Sequence, residues 1–197
     1  MTRRVVDPER LRFVDVVAAS HGHTDHLDPD TLRALRPRTL VCPAGLAELA
    51  RERAGVEPLE AEMGETVEAA GFDLTPVPAE HEAPGPAVGW VVRCGPWTLY
   101  HAGDTLAYTG LGESLRPFRP HVAILPINGK VGNMGGAEAA RVAHAAGTAL
   151  AIPCHFDMFE HNTASPAELV RECERLGQAY RVLRAGERLT LRTPPAG

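Results

Sequence analysis

Three histidines and an aspartate fall within six consecutive residues, His21-Gly22-His23-Thr24-Asp25-His26, and no other stretch constrains the chain so strongly. At that density imidazole and carboxylate read as ligands for a divalent cation, since borderline metals such as zinc and manganese take neutral histidine nitrogen and carboxylate oxygen. A merely solvated loop has no need of so many ligand atoms. The run before the cluster, Val14 to Ala19, is apolar and β-branched apart from Asp15. It predicts a buried strand whose carboxyl end delivers the histidines into a loop, where alternate side chains can splay to either side of a metal pair.

The pattern that follows alternates short helices with short strands. Asp28-Pro29-Asp30-Thr31 caps a helix through Leu32 and Leu35 that Arg36-Pro37 stops, and Thr39 to Val41 is a strand. Ala44 to Arg53 has helical spacing and ends before Gly55. Glu65 to Val67, Phe72 to Val77 and Val88 to Arg93 read as strands, and Trp97 to His101 forms a hairpin with the last of these across Gly95-Pro96. Val122 to Leu125, a helix over Ala137 to Ala146 and Ala149 to Ile152 make a β, α, β unit. Ser165-Pro166-Ala167-Glu168 reads as a capping box opening a helix to Leu176, with small closing strands at Arg181 to Leu183 and Leu189 to Leu191.

With 197 residues, 44% of them hydrophobic, residues 1–197 suit one α/β domain. The formal charge of −5 disfavours a wide basic surface, so no nucleic-acid or membrane partner is expected. Cys42, Cys94, Cys154 and Cys173 lie far apart without a Cys-x-x-Cys pair, which fits a reducing cytoplasm. The N-terminus lacks the apolar core of a signal peptide.

Three single residues share the setting of the first cluster, each at the end of an apolar strand: His81, Asp104 and His155. Taken alone, each is more readily a hydrogen-bonded loop residue. The ordered set His-x-His-x-Asp-His, His, Asp, His resembles the metallo-β-lactamase superfamily, from about Asp15 to the C-terminal strands. The resemblance implies an αββα sandwich and two divalent ions, zinc or manganese. It places His21, His23 and His81 on one metal, Asp25, His26 and His155 on the other, and Asp104 between them. It further implies a bridging water as nucleophile, with Asp25 orienting it and passing a proton to the leaving group. Position 23 is His where the oxygen-reducing diiron branch has Glu, which disfavours redox chemistry.

Leu125-Pro126-Ile127-Asn128-Gly129-Lys130, Gly132-Asn133-Met134, and Ile152 to Phe159 followed by His161-Asn162-Thr163 are similar to the L-ascorbate 6-phosphate lactonase-like branch. That likeness implies a small-molecule substrate, a lactone, ester or phosphorylated compound. Asn128, Lys130, Asn133 and Asn162 are candidates to hold it, against the plainer roles of turn formation and surface solvation. Phosphodiester cleavage, or weak catalysis by a shortened metal-binding protein, are the alternative functions.

His101 is expected to pack near Asp104, His121 and His144 to be structural, Cys154 to be a small packed residue, and Trp90 and Trp97 to lie in the core. His161 is left open. Members of the superfamily carry two or three strands before the first histidine cluster, whereas 20 residues precede His21 here. The N-terminal strands are thus expected to be shortened, with Val5-Val6-Asp7-Pro8 as a remnant of a turn. An edge left open at Val14 to Ala19 would favour a homodimer or poor solubility.

Overall fold

The computed structural model describes residues 6–157 and 161–192. Val5 of the expected N-terminal turn, and Met158 and Phe159 of the last quoted motif, lie outside those residues. Two sheets stack face to face. The smaller is parallel, in the order β1 (Val16–Ala18), β2 (Thr39–Pro43), β3 (Leu59–Ala61). The larger runs β4 (Val67–Ala69), β5 (Phe72–Pro78), β6 (Val88–Cys94), β7 (Trp97–His101), β8 (Val122–Pro126), β9 (Leu150–Cys154). It is antiparallel as far as β7 and parallel beyond.

Three apolar clusters give the layers. Val41 and Ala61 of the small sheet meet Ala69, Leu74, Val88 and Trp90 of the large one. Helices α1 (Pro29–Leu35) and α2 (Ala47–Ala54) cover the outer face of the small sheet through Leu32, Ala47 and Ala50. Helices α3 (Leu111–Leu115), α4 (Gly136–Ala146) and α5 (Ala167–Leu176) cover the large sheet through Leu111, Ala139, Ala143 and Leu169. This is the expected αββα sandwich. Among the described residues no helix is long and apolar enough to cross a membrane.

Several boundaries differ from the sequence pattern for local reasons. The first strand begins at Val16, because Val14 donates its N–H to Leu11 O and closes a 3-10 turn, Pro8–Leu11, that Asp7 caps. β3, which its polar composition concealed, forms because β2 offers a free edge for parallel pairing. β4 starts two residues later than expected, since Gly64 and Glu65 turn the chain, and Ala70-Gly71, both at positive φ, close its hairpin with β5. α2 begins at Ala47 after a turn at Gly45 (φ +86°). α3 was not expected. Ser165 Oγ accepts from Ala167 N–H at 3.3 Å, but Pro166 is the residue at the start of α5.

The two closing strands do not form. Tyr180 makes one isolated bridge to Ala151, and the residues beyond it have no strand partner among those described. Trp97 is only partly buried on the hairpin and packs edge-on against His121. Trp90 is buried, and its indole N–H donates to Ala19 O at 3.0 Å, tying β6 to the end of β1.

Candidate metal centre

Backbone bonds and one arginine hold the loop after β1. Ala19 N–H donates to Val41 O, and Val88 N–H donates to Ser20 O at 3.0 Å, so both sheets grip the chain just before His21. Gly22 then passes so close to Pro84 that a Cβ there would stand 2.3 Å from its carbonyl oxygen. Arg53 of α2 donates to Gly22 O (2.8 Å) and Leu27 O (3.3 Å), clasping both ends of the loop. Asp28 accepts from Asp30 and Thr31 N–H and starts α1 at once, which fixes the loop's exit.

The remaining candidates arrive from the large sheet. His81 follows β5, Asp104 follows β7 across Gly103, and His155 follows β9. Gly103 has φ +61°, and a Cβ would meet both Ser20 Cβ and Val88 O at 2.8 Å, so only glycine brings the two sheets this close. His155 itself holds a left-handed backbone, φ +59°. An L-residue in that region costs on the order of 1–3 kcal/mol and persists only where its surroundings impose it.

All seven ligand candidates converge. Their donor atoms form three groups: His21, His23 and His81; His21, His26 and Asp104; and Asp25, His26 and His155. His23 Nδ1 lies 3.1 Å from both His21 Nε2 and His81 Nε2. A single ring nitrogen carries one proton or one in-plane lone pair, so it satisfies only one of two such neighbours. A cation at the centre satisfies all three, and tetrahedral zinc with bonds of about 2.0–2.1 Å separates its ligand atoms by ~3.3 Å.

Asp104 sits between the outer groups. Its Oδ1 is 3.3 Å from His26 Nε2, and its Oδ2 is 3.4 Å from His155 Nε2 and 3.8 Å from His81 Nε2. Asn133 Nδ2 donates to Oδ2 at 2.9 Å, whereas Oδ1 is buried without a hydrogen-bond donor. An unpaired buried carboxylate oxygen facing imidazoles is suited to a cation. Asp25 completes the third group more openly, with Oδ2 3.7 Å from His26 Nε2 and 3.8 Å from His155 Nε2.

Electrostatics keep His21 and His26 in ligand form. Burial, then the neighbouring His26, lowers the pKa of His21 to about 3, and burial lowers that of His26 as well. Both rings are therefore neutral, with lone pairs to give. Burial opposes ionisation of Asp104, but the His155 imidazole, His26 and the Asn133 amide outweigh it and hold the carboxyl below its ordinary range. The Asp104 carboxylate in turn raises His155. Ser20 Oγ lies 3.0 Å from His21 Nδ1 and 3.3 Å from His26 Nδ1. With two lone pairs it can accept both N–H groups, which leaves both Nε2 atoms unprotonated.

The centre opens into a cavity of about 260 Å³ lined by Asp25, His26, His101, Gly103, Asp104, Cys154 and His155. A second cavity, about 250 Å³ between α3 and α4, contains none of these residues and belongs to the helical layer. Burial, then Asp104, pushes the Cys154 thiol up to about 12, so it stays protonated at neutral pH.

The four polar candidates occupy one loop cluster beside the site. Asn128 is buried and spends its amide protons on Lys130 O and Asn162 Oδ1. Asn133 is turned to Asp104, and Lys130 is exposed with its ammonium 3.5 Å from His161 O. Sequence reasoning passed over Ser20 and Arg53. Ser20 stands next to the first ligand and was open to notice, whereas nothing local marks Arg53, which reaches the loop from another helix.

The comparisons agree with this geometry. A family model for the beta-lactamase superfamily domain matches residues 1–156. A UPF0173 metal-dependent hydrolase of Methanopyrus kandleri is 36% identical over 180 residues, 83% of this chain and 75% of the relative. Another from Aeropyrum pernix is 31% identical over 201 residues, 92% and 83% of the two chains. Among solved structures, a metallo hydrolase of Ignicoccus hospitalis is similar with a TM-score of 0.79 at 24% identity, covering 91% of this chain and 80% of that one. Sequence kinship over most of the chain, two stacked sheets and a His/Asp cluster at their strand ends together place the protein in the metallo-β-lactamase superfamily, as a metal-dependent hydrolase of that fold.

Proposed function

We propose that the protein hydrolyses a small lactone, ester or phosphorylated compound, using two zinc or manganese ions. His21, His23 and His81 would hold one ion and Asp25, His26 and His155 the other, with Asp104 between them. Bound there, such a pair lowers the pKa of water from about 15.7 toward about 7 and offsets negative charge on the attacked oxygen. The observation that carries this reading is the pair of outer donor groups flanking a buried, half-unsatisfied Asp104 at the floor of a cavity.

The protein's own groups supply the proton chemistry. Asp25 is the more open of the two carboxylates, its side chain 45% exposed against 7% for Asp104. Its Oδ2 lies 3.7 Å from His26 Nε2 and 3.8 Å from His155 Nε2, and the exposed carboxylate would take a proton from water and return it to the leaving group. Asp104, ringed by three imidazoles and an amide, instead serves as a fixed negative charge. The lactonase-like reading draws on the loop Asn128 to Met134, which brings polar side chains to the edge of the site. Lys130, exposed on that loop, would draw the anionic part of a substrate.

A screen of lactones, phosphoesters and single-stranded RNA, run with metal-loaded protein, tests the assignment. Turnover of a lactone or phosphoester that disappears in His21→Ala/His23→Ala is the expected result. Activity confined to RNA would overturn the substrate class, and activity surviving in the double variant would overturn the site.

A further inference from the structure

His101 ends β7, where its backbone pairs with Trp90 on one side and Ile124 on the other. Its side chain is exposed and helps to line the cavity that also holds Asp25, His26, Asp104 and His155. Gly103 N–H donates to His101 Nδ1 at 3.1 Å. A nitrogen that accepts a hydrogen bond carries a lone pair, so the ring is neutral and its proton resides on Nε2. Nε2 has no protein partner among the described residues.

That arrangement differs from every other histidine in the neighbourhood. The five rings of the donor groups turn a nitrogen toward one another or toward Asp104, where lone pairs converge. His101 belongs to none of those groups. His121, the other histidine whose Nδ1 accepts from the backbone, spends its ring on a contact with Trp97. Among the described residues that line the cavity, His101 brings an imidazole N–H whose ring the backbone already orients, beside carboxylates and imidazoles that supply acceptors and lone pairs.

We propose that His101 is a catalytic residue whose Nε2–H donates to the carbonyl or phosphoryl oxygen of the substrate, the atom on which negative charge builds during hydrolysis. The assignment rests on the hydrolase reading of the adjoining centre. It favours substrates that present an oxygen acceptor beside the scissile bond, since that atom would take the hydrogen bond His101 otherwise offers to solvent. A donor held in place before the reaction needs no reorganisation during it, and removal of one such donor from a comparable site costs about 10²–10³-fold in turnover.

Imidazole nitrogen NMR on metal-free and zinc-loaded protein tests the tautomer, and inorganic phosphate serves as the oxyanion probe. The expected spectrum shows His101 protonated at Nε2 in both states, with its resonance moving as phosphate is added. In His101→Leu the phosphate dissociation constant should rise about 10-fold with zinc content and melting temperature unchanged. His101→Gln, which returns an N–H near the same point, should recover most of that loss. On any ester or phosphoester the wild type turns over, His101→Leu should lower kcat far more than it raises KM. A lone pair at Nε2, phosphate affinity indifferent to His101→Leu, or zinc lost from that variant would each overturn the proposal. A wild type that takes up no zinc at all would instead overturn the hydrolase reading beneath it.

Discussion

The small parallel sheet and the large mixed sheet bring ligands to one place by opposite means. The small sheet uses a single loop: after β1 the chain turns through His21, His23, Asp25 and His26, and α1 begins three residues later. The large sheet sends one ligand from each of three strand ends, His81 after β5, Asp104 after β7 and His155 after β9. Local delivery sets the relative positions of four side chains within one loop, which Arg53 clasps at both ends. Distributed delivery sets three others only if the two sheets pack correctly, through Trp90 on Ala19 and Gly103 against Ser20. Each outer donor group mixes the two sources, so a bound ion clamps the sheets together.

The sharpest way to break this comparison is to remove one carboxylate from each source. Asp104→Ala should abolish uptake of both ions, since Asp104 approaches His26, His81 and His155 together. Asp25→Asn should keep the fold, by circular dichroism, yet lower turnover by about 10²–10⁴-fold through loss of the proton-transfer group. Elemental analysis beside kinetics checks both. Equal metal content in the two variants would refute the division between a shared carboxylate and an open one.

Metal removal comes next in size. An ion that binds only the folded chain stabilises it by mass action, ~2.7 kcal/mol at 100 times its dissociation constant, or about 5–11 °C in melting temperature for a chain this long. Chelation should therefore lower the melting temperature, as calorimetry would show. Hydrogen exchange should rise at both sheets, because the ion joins them; a rise confined to the loop 20–27 would mean that the distributed ligands do not hold it.

Groups behind the ligands should matter less. Ser20→Ala removes the acceptor facing His21 Nδ1 and His26 Nδ1, and Asn133→Leu removes the amide that orients Asp104. Each should weaken metal affinity by about 10–100-fold. Competition with a chelator measures this, and restoration by Ser20→Thr but not by Ser20→Val would separate the hydroxyl from mere packing.

How much of this was legible in the sequence follows the same contrast. The cluster at 21–26 could be read because its ligands are adjacent, whereas His81, Asp104 and His155 gained meaning only as an ordered set. Strands with strong alternation, such as β7, kept their boundaries, while β3 and α3 depended on neighbours supplied by the folded chain. The polar loop was read through its resemblance to the lactonase-like branch, which gave candidate residues but not their partners. Its asparagines turned out to face Asp104 and each other, which no spacing reveals, and the proton position on His101 required the Gly103 N–H to be seen opposite Nδ1.

The pH dependence of the metal-free protein should be gradual. His21, with its pKa lowered to about 3, and His26, lowered in the same sense, bind protons more readily when unfolded, and Asp104 is also shifted downward. All three contributions are present above the unfolded values and are lost as pH falls toward the folded ones. Thermal melts from pH 7 to pH 4 should show a falling midpoint as His21 and His26 lose their contributions, offset in part by His155, which Asp104 raises, while the Asp104 contribution is lost only below about pH 4. A midpoint that rose over this range would mean that the raised His155 outweighs the two lowered rings.

The smallest effect is expected at His144, exposed in the last turn of α4 on the outer layer of the large sheet. It shares an element with none of the ligands, and its ring has no partner among the described residues. Surface substitutions away from caps and cores change stability by about ±0.5 kcal/mol or less. His144→Ala should therefore leave metal content and turnover per folded molecule within about twofold of wild type. If it lowered metal uptake, the outer helices would be steering the strand-end ligands, and the large sheet could no longer be treated as the scaffold that fixes them.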